Sequence, residues 1–184
     1  MARLTREDWI AEGFKILSEF AQDKLKILYL CQRLKVTRGS FYHHFKSIED
    51  YINALMEAWQ EENTLQLIRN SKEGQTAYEK MDIINAQVAA SNFKLEASIR
   101  SWSYYHPIVK QYVDKADTTR LAFLQDIFML LGFEKELAYK KGMLDYAVLI
   151  GIQQLKPNLK PEELQKSVSD PISLLTISLP WLIH

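Results

Sequence analysis

A short run of hydrogen-bonding side chains begins at Thr37 and ends at Lys46. Within it, Tyr42, His44 and Lys46 can each donate a hydrogen bond to a phosphate oxygen. Gly39 has no side chain, so it lets another molecule approach the backbone closely. Donors beside an accessible backbone predict contact with a nucleic acid.

Two predicted helices position this run. Apolar residues recur at positions i, i+3, i+4 and i+7 through the segment 25–34, where they form one inward face that includes Cys31. After Lys35 and Val36, Thr37 is expected to cap a short helix over residues 38–44. Two helices joined by so tight a turn are typical of a helix-turn-helix.

The second of these helices has an apolar and a polar side. Phe41 and Phe45 stand one turn apart and are expected to anchor it from behind. The other side chains are polar, small or amphipathic. Because the major groove of DNA admits one α-helix, the N-terminal residues of such a helix can reach base edges.

Flanking helices complete the predicted head. Thr5 is expected to cap a first helix that ends near Gln22, and Ser47 to cap a fourth helix that continues to about Asn70. Residues 1–47 contain nine Lys and Arg against five Asp and Glu, a formal charge of +4, and the remainder carries −4 because the whole chain is neutral. A basic head suits contact with phosphate.

The string Val36-Thr37-Arg38-Gly39-Ser40-Phe41-Tyr42-His43-His44-Phe45-Lys46-Ser47 strongly resembles the signature of the TetR (tetracycline-repressor-like) family of regulators. Residues 5–59 fit the family's head as a whole, and parts of the segment 100–133 resemble the bodies of some members more weakly. The resemblance implies an all-α homodimer that binds a palindromic DNA site and, in most members, represses transcription.

The family's roles imply three sets of residues in the head. Positions that face or flank bases match Thr37, Arg38, Gly39, Ser40 and His43. Phosphate-contacting positions match Tyr42, His44 and Lys46, and we add Lys26 at the start of the second helix. Structural positions match Phe41 and Phe45.

The chain departs from the family pattern at several positions. Lys35 stands where the turn usually has glycine, and a left-handed conformation would be strained for lysine. Ile48 stands where the fourth helix often carries a phosphate-binding lysine, and Leu28 and Tyr29 are apolar where the second helix is usually polar. These departures keep open an alternative, a helical ligand-binding dimer of the same fold whose head no longer binds DNA.

The rest of the chain also has helical periodicity. A break over residues 71–75 precedes a capping-box pattern from Thr76 to Glu79, and Pro107 is expected to open a later helix. The segments 118–131 and 134–154 are apolar on more than one face, so one face is expected to meet a second subunit. The predicted interface consists of Leu121, Leu124, Phe128, Tyr146 and Ile150.

Aromatic residues in this part could line a cavity for a small apolar or aromatic ligand, although each one alone is more often a core residue. The predicted pocket consists of Trp59, Phe93, Trp102, Tyr105 and Tyr146. His106 is expected at a solvated helix start, with ligand sensing as the alternative. Asp117 and Arg120 are spaced for a local ion pair, with a place in the dimer interface as the alternative.

Other classes of function find little support. The chain has no glycine-rich phosphate loop, nucleophile elbow or metal-spaced ligands, so we expect neither an enzyme nor a cofactor. His43 and His44 point about 100° apart on a helix, which does not suit one metal ion. The single cysteine, Cys31, is expected to pack in the core rather than to sense redox state. The apolar segment 172–183 is expected to pack on the body or the partner.

The sequence thus predicts an all-α protein with a three-helix helix-turn-helix head over residues 1–47 and a helical dimerisation and ligand-binding body over residues 48–184. With no signal peptide and no run of about 18 apolar residues, a cytoplasmic protein that does not enter membranes is expected. Its predicted partners are double-stranded DNA and a second copy of itself.

Overall fold

The computed structural model describes residues 4–159 and residue 163, and the all-α prediction is confirmed for them. Nine α-helices follow one another in this part of the chain: α1 (Arg6–Phe20), α2 (Ile27–Leu34), α3 (Arg38–His44), α4 (Ile48–Gln60), α5 (Gln66–Ser71), α6 (Ala77–Ala89), α7 (Phe93–Ser103), α8 (Pro107–Leu130) and α9 (Lys135–Leu155). The segment 172–183 lies outside the described residues.

Several helices begin at the caps that the sequence predicts. The Thr5 hydroxyl accepts from the backbone N–H of Asp8, whose carboxylate accepts from the N–H of Thr5 at 2.7 Å. The same reciprocal box opens α6, and the Ser47 hydroxyl accepts from the N–H of Asp50 at 3.2 Å. Thr37 precedes α3 as expected, but its side chain makes no capping hydrogen bond.

The second helix begins two residues later than predicted. A 3-10 turn, Ala21–Lys24, links α1 to α2, and its backbone bonds bring the N–H of Leu25 to the carbonyl of Gln22. The chain enters this turn through Ala21, whose φ of 55° is positive. The bend keeps the start of the predicted segment out of the helix, although Leu25 is buried as its pattern requires.

The predicted long fourth helix is present, but it contains an irregularity that its sequence does not reveal. A π turn, Glu61–Leu65, joins α4 to α5 without breaking the helical run, and the N–H of Gln66 donates to the carbonyl of Glu61 five residues back. The run ends at Ser71, where the break was predicted.

The two-faced segments of the sequence belong to a pair of long helices. α8 begins with Pro107 in its first turn, as predicted, and is one helix through to Leu130. It packs along α9, where Gly142 allows close approach: a Cβ added there would lie 3.1 Å from the Cβ of Leu124. α8 also packs on α4 and α7, so it connects α9 to the core.

One hydrophobic core extends from α1 through the helix-turn-helix and α4 into α7 and α8. Tyr51 on α4 is buried, and its hydroxyl donates to the carbonyl of Trp9 at 2.8 Å. Gly13 makes room for this contact, because a Cβ there would overlap the Tyr51 hydroxyl. The division of the chain at residue 47 therefore stays a prediction, since the core is continuous across it. In the described part of the chain, no helix is long and apolar enough to cross a membrane.

Candidate nucleic-acid interface

The short helix α3 is fixed to the head by its aromatic residues. Phe41 and Phe45 are fully buried, as the sequence predicts. The indole of Trp9 meets Phe41 edge to face with ring centroids 5.5 Å apart, and Phe45 meets Tyr51 in the same way at 4.9 Å. Such edge-to-face aromatic pairs add to the energy of apolar burial. α3 is therefore held rigidly from behind.

The opposite side of α3 faces solvent. Of the predicted DNA-contacting residues, Ser40 and His44 are half-buried. The others are exposed along one surface or beside it: Lys26, Thr37, Arg38, Gly39, Tyr42, His43 and Lys46. The fold thus presents the predicted donors outward, although DNA contact itself stays a prediction.

Gly39 is not required by the packing of the head. A Cβ added at this position would meet only the Thr37 hydroxyl, at an ordinary contact distance of 3.6 Å. Gly39 is exposed in the first turn of α3, with ordinary helical geometry. The absence of a side chain at Gly39 keeps the outer surface of α3 accessible, and the packing of the core does not require it.

The turn between α2 and α3 has the left-handed geometry that its family pattern implies. Lys35 lies at φ 55° and ψ 44°, and its N–H donates to the carbonyl of Gln32 at 3.2 Å. The buried Cys31 thiol reaches the carbonyl of Thr37 at 3.6 Å, and burial raises the pKa of this thiol. The structural role expected for Cys31 agrees with this burial.

A contact that the sequence did not predict ties α1 to the end of α3. The Arg6 guanidinium donates to the carbonyl of His44 at 3.1 Å and lies over the Phe45 ring, 4.6 Å from its centroid. The carbonyls at the end of a helix lack intrahelical partners, so a cation there is favourable. The two residues are far apart in sequence, and no local pattern connects them.

The departures from the family pattern differ in their surroundings. Ile48 is half-buried against the core, so it serves packing at a position where a lysine would reach outward. Leu28 is 61% exposed on α2, and Tyr29 is half-buried with its ring edge-to-face on Phe20. The start of α2 therefore offers an apolar patch beside the polar surface of α3.

The predicted ligand-pocket residues differ in burial. Trp59, Phe93, Trp102 and Tyr146 are buried in the interior, whereas Tyr105 is 83% exposed at the turn before α8. Tyr105 is therefore corrected to a surface residue. His106 follows it, half-buried, and stacks edge-to-face on Trp102 at 5.1 Å between ring centroids.

Ion pairs between helices occupy the interior around Tyr146. Arg100 on α7 donates to both carboxylate oxygens of Asp117 on α8, at 2.9 and 2.7 Å. Arg120 pairs with Glu96 at 3.2 Å. The local pair predicted between Asp117 and Arg120 is wrong, because α7 supplies each of them with a closer partner.

The charges of this cluster shift several pKa values. Burial would raise the pKa of Asp117, but the hydrogen bonds from Arg100 and the Tyr146 hydroxyl outweigh it and lower that pKa. Burial raises the pKa of Tyr146 to about 12, and Asp117 adds to this shift. Asp117 is therefore ionised and accepts a hydrogen bond from the neutral phenol of Tyr146 at 2.6 Å.

The predicted dimer residues divide into two groups. Phe128 and Tyr146 are buried within the single chain, so they are corrected to core residues. Leu121, Leu124 and Ile150 are half-buried. Exposed apolar side chains that the prediction missed lie at the end of α8 and in the first half of α9: Met129, Leu130, Leu137, Tyr139 and Met143.

A groove of about 530 Å³ lies between α1 and α4, close to the head. Its floor includes Ile10, Ala11 and Ala58, and its wall includes Glu61 and Glu62 of the π turn. Burial raises the pKa of the Glu62 carboxyl. The predicted pocket residues line no part of this groove.

Comparisons with known proteins rest on structure alone, because neither the protein-family models nor the curated sequences give a match to this chain. A transcriptional regulator from Rhodococcus sp. Rha1 superimposes with a TM-score of 0.77 at 17% identity, covering 94% of this chain and 97% of that one. A TetR transcriptional regulator from Legionella pneumophila gives 0.73 at 12% identity, with 85% and 89% covered.

The transcriptional regulator FadR from Bacillus subtilis, in complex with stearoyl-CoA, gives a TM-score of 0.60 at 17% identity, with 89% of this chain and 95% of that one covered. At such identities the likeness concerns the fold, and it extends over the head and the body together. The chain has the fold of TetR-type transcriptional regulators.

Proposed function

We propose that this chain is a sequence-specific DNA-binding transcriptional regulator that acts as a homodimer on a palindromic site. The observation that carries the proposal is the two-sided recognition helix α3. Phe41 and Phe45 fix one side in the core, and the other presents Arg38, Tyr42 and His43 to solvent. A rigid helix with outward donors is what reading of the major groove requires.

A homodimer follows from the exposed apolar residues of α8 and α9. Met143 and Leu137 on α9 and Met129 on α8 are each more than two-fifths exposed in the single chain. An apolar surface of this kind on a helix pair suits a two-fold interface, which would place two heads about one DNA turn apart. Sedimentation of the parent and of a Met143→Glu variant tests this part, with dissociation expected for the variant.

The finer part of the proposal is repression that a ligand relieves. A ligand that binds one arrangement of the body better than another shifts the population of head spacings. The interior contains the aromatic residues Phe93, Trp102 and Tyr146. Because FadR was crystallised with stearoyl-CoA, long-chain acyl compounds are the first class to test by thermal shift and by release from DNA.

The decisive experiment is selection of binding sites from a random duplex pool at about 150 mM salt. A palindromic motif is the expected result and also gives the half-site spacing. A folded dimer that enriches no sequence would contradict the proposal and favour the alternative, a ligand-binding dimer with a silent head. That alternative draws support from the exposed Leu28 and the inward Ile48.

The same assay tests the roles of individual residues. Arg38→Ala and His43→Ala should change which sequence is preferred, by about 1–3 kcal/mol for each lost base contact. Tyr42→Phe and Lys46→Ala should weaken binding to all sequences alike and reduce its salt dependence, because they address phosphates. A change of preference in the second pair would contradict the assignment.

A further inference from the structure

The π turn Glu61–Leu65 lies between α4, whose first turns pack in the core of the head, and α5. Before it, α4 is anchored in the head core by Tyr51 and Leu55, both fully buried. After it, α5 packs on α6, where the Asn70 amide donates to Gln87 at 2.7 Å. The conformation of this turn therefore sets the orientation of α4 relative to α5, beside the direct packing of α1 on α7 and of α4 on α8.

Side chains bind the backbone of this turn where regular helix pairing is disturbed. The Asn63 amide donates to the carbonyl of Trp59 at 3.3 Å. The carbonyl of Asn63 in turn accepts from Arg120 Nη2 at 2.9 Å, and Arg120 Nε donates to the buried Thr64 hydroxyl, also at 2.9 Å. A π turn displaces the backbone hydrogen bonds by one residue, and side chains inserted in this way stabilise the displacement.

Arg120 is itself held from two further helices. Its Nη1 donates to Glu96 of α7 at 3.2 Å and to the Tyr146 hydroxyl of α9 at 3.1 Å. The guanidinium lies over the Trp59 ring, 5.3 Å from its centroid, and the Trp59 N–H donates to Glu96 at 2.7 Å. The side chain is thus fixed to the body while two of its nitrogens bind the turn.

A return of the turn to regular α-helix would have a large geometric effect. If the hydrogen bonds shift back by one residue, α4 rotates relative to α5 by roughly 100° and moves by about 1.5 Å along the helix axis. Since the head packs on the start of α4, it would change its orientation to α5 and α6, and the packing of α1 on α7 would have to adjust. We propose that Arg120 is a positioning residue, which locks the π turn Glu61–Leu65 and thereby sets the orientation of the DNA-binding head.

The Arg120→Lys variant tests whether the π turn depends on the hydrogen bonds of the guanidinium or only on its positive charge. A lysine keeps a positive charge opposite Glu96, but its single nitrogen cannot bind Thr64, the Asn63 carbonyl and Tyr146 in the same fork geometry. Arg100→Lys is the matched control, since it makes the same change in the same cluster and the hydrogen bonds of Arg100 go to Asp117 and Tyr146. Thr64→Val is the second variant, because it removes only the acceptor hydroxyl at similar volume.

Hydrogen exchange on the free protein is the first measurement. We expect the amides of residues 61–66 to exchange at least about tenfold faster in Arg120→Lys, less so in Thr64→Val, and at the parent rate in Arg100→Lys. Equal exchange in Arg120→Lys and Arg100→Lys would overturn the lock, because the turn would then depend on the charged cluster as a whole.

The second measurement is the distance between the head and the body. Spin labels at Gln32 on α2 and Lys140 on α9, both exposed, report this distance within one chain when labelled protein is diluted with unlabelled protein. We expect a shifted or broadened distribution in Arg120→Lys and the parent distribution in Arg100→Lys. Faster exchange without a change of distance would also overturn the proposal.

The consequence for DNA binding rests on the proposed function, whereas these two measurements do not. If the parent protein binds DNA, Arg120→Lys should lose at least about tenfold in affinity for the selected site, and Arg100→Lys should retain it. A parent that selects no DNA would contradict the proposed function and leave the exchange and distance results to decide on the lock.

Discussion

The guanidinium of Arg6, the first residue of α1, donates to the backbone carbonyl of His44, the last residue of α3, at 3.1 Å. This contact joins the two ends of the head across its outer edge. It also places a positive charge where the helix dipole of α3 is negative. Arg6 also lines the groove between α1 and α4, so it contacts both that groove and the end of α3.

Loss of this contact should weaken DNA binding. We expect Arg6→Ala to reduce affinity by about two- to tenfold, the effect of one net hydrogen bond, because the end of α3 becomes free to fray. Lys24→Ala removes an equally exposed positive charge from the 3-10 turn and serves as the control. DNA affinity is measured by fluorescence anisotropy at one salt concentration. Equal losses of affinity in the two variants would mean that Arg6 contributes only its positive charge.

The left-handed residue Lys35 should make the head less stable than it could be. A side chain at φ 55° costs free energy that glycine avoids. Lys35→Gly is therefore expected to raise the free energy of unfolding by about 0.5–1 kcal/mol in urea denaturation. Lys24→Gly should lower the free energy of unfolding. Lys24 lies in a 3-10 turn and its φ is not positive, so glycine relieves no strain there. A loss of stability in Lys35→Gly would contradict this reading of the turn.

Local patterns in the sequence predict much of this fold, because a capping side chain and its partner lie within one helical turn. The boxes at Thr5 and Thr76 and the apolar period of α2 are of this kind, whereas the left-handed turn at Lys35 is implied by the family resemblance alone. Contacts between distant helices carry no such pattern. Asp117 and Arg120 have the spacing of a local pair, yet both find better partners on α7, which only the tertiary fold brings close.

The site shows the same division. Exposure of the α3 donors follows from helical period, since Phe41 and Phe45 determine which side faces inward. The contact of Arg6 with His44 and the π turn held by Arg120 depend on helices that meet across the fold. The residue types of the π turn Glu61–Leu65 also occur in regular α-helices, so the shifted hydrogen bonding of this turn could not be predicted from residue types.

A substitution at Gly39 should affect DNA binding without disturbing the fold. Because an added Cβ meets only the Thr37 hydroxyl at 3.6 Å, Gly39→Ala should fold normally and gain about 0.5–1 kcal/mol of stability from helix propensity. The same methyl group would stand on the surface that approaches DNA, so affinity should fall. Thermal denaturation and DNA titration of one sample check both effects, and unchanged affinity would place Gly39 away from the DNA.

Asp145 on α9 should make stability depend on pH. Burial raises the pKa of its carboxyl to about 6, against a lowering by Lys141, so the folded chain holds this proton more tightly than the unfolded chain, whose value is 3.8. Stability should therefore fall as pH rises from about 4 to 6, and the cost should be fully present above pH 6.

Asp145→Asn removes this titration. Since the residue is only half-buried, solvent screening reduces the effect, and we expect a gain of about 1 kcal/mol at pH 8 that disappears near pH 4. Asp126→Asn removes the same charge from an exposed site on α8, and it corrects for the change in net charge. Urea denaturation of the parent and both variants between pH 4 and 8 measures the difference. A gain in Asp145→Asn that is equal at pH 4 and pH 8 would come from packing, because only a titrating carboxyl makes the two variants differ with pH.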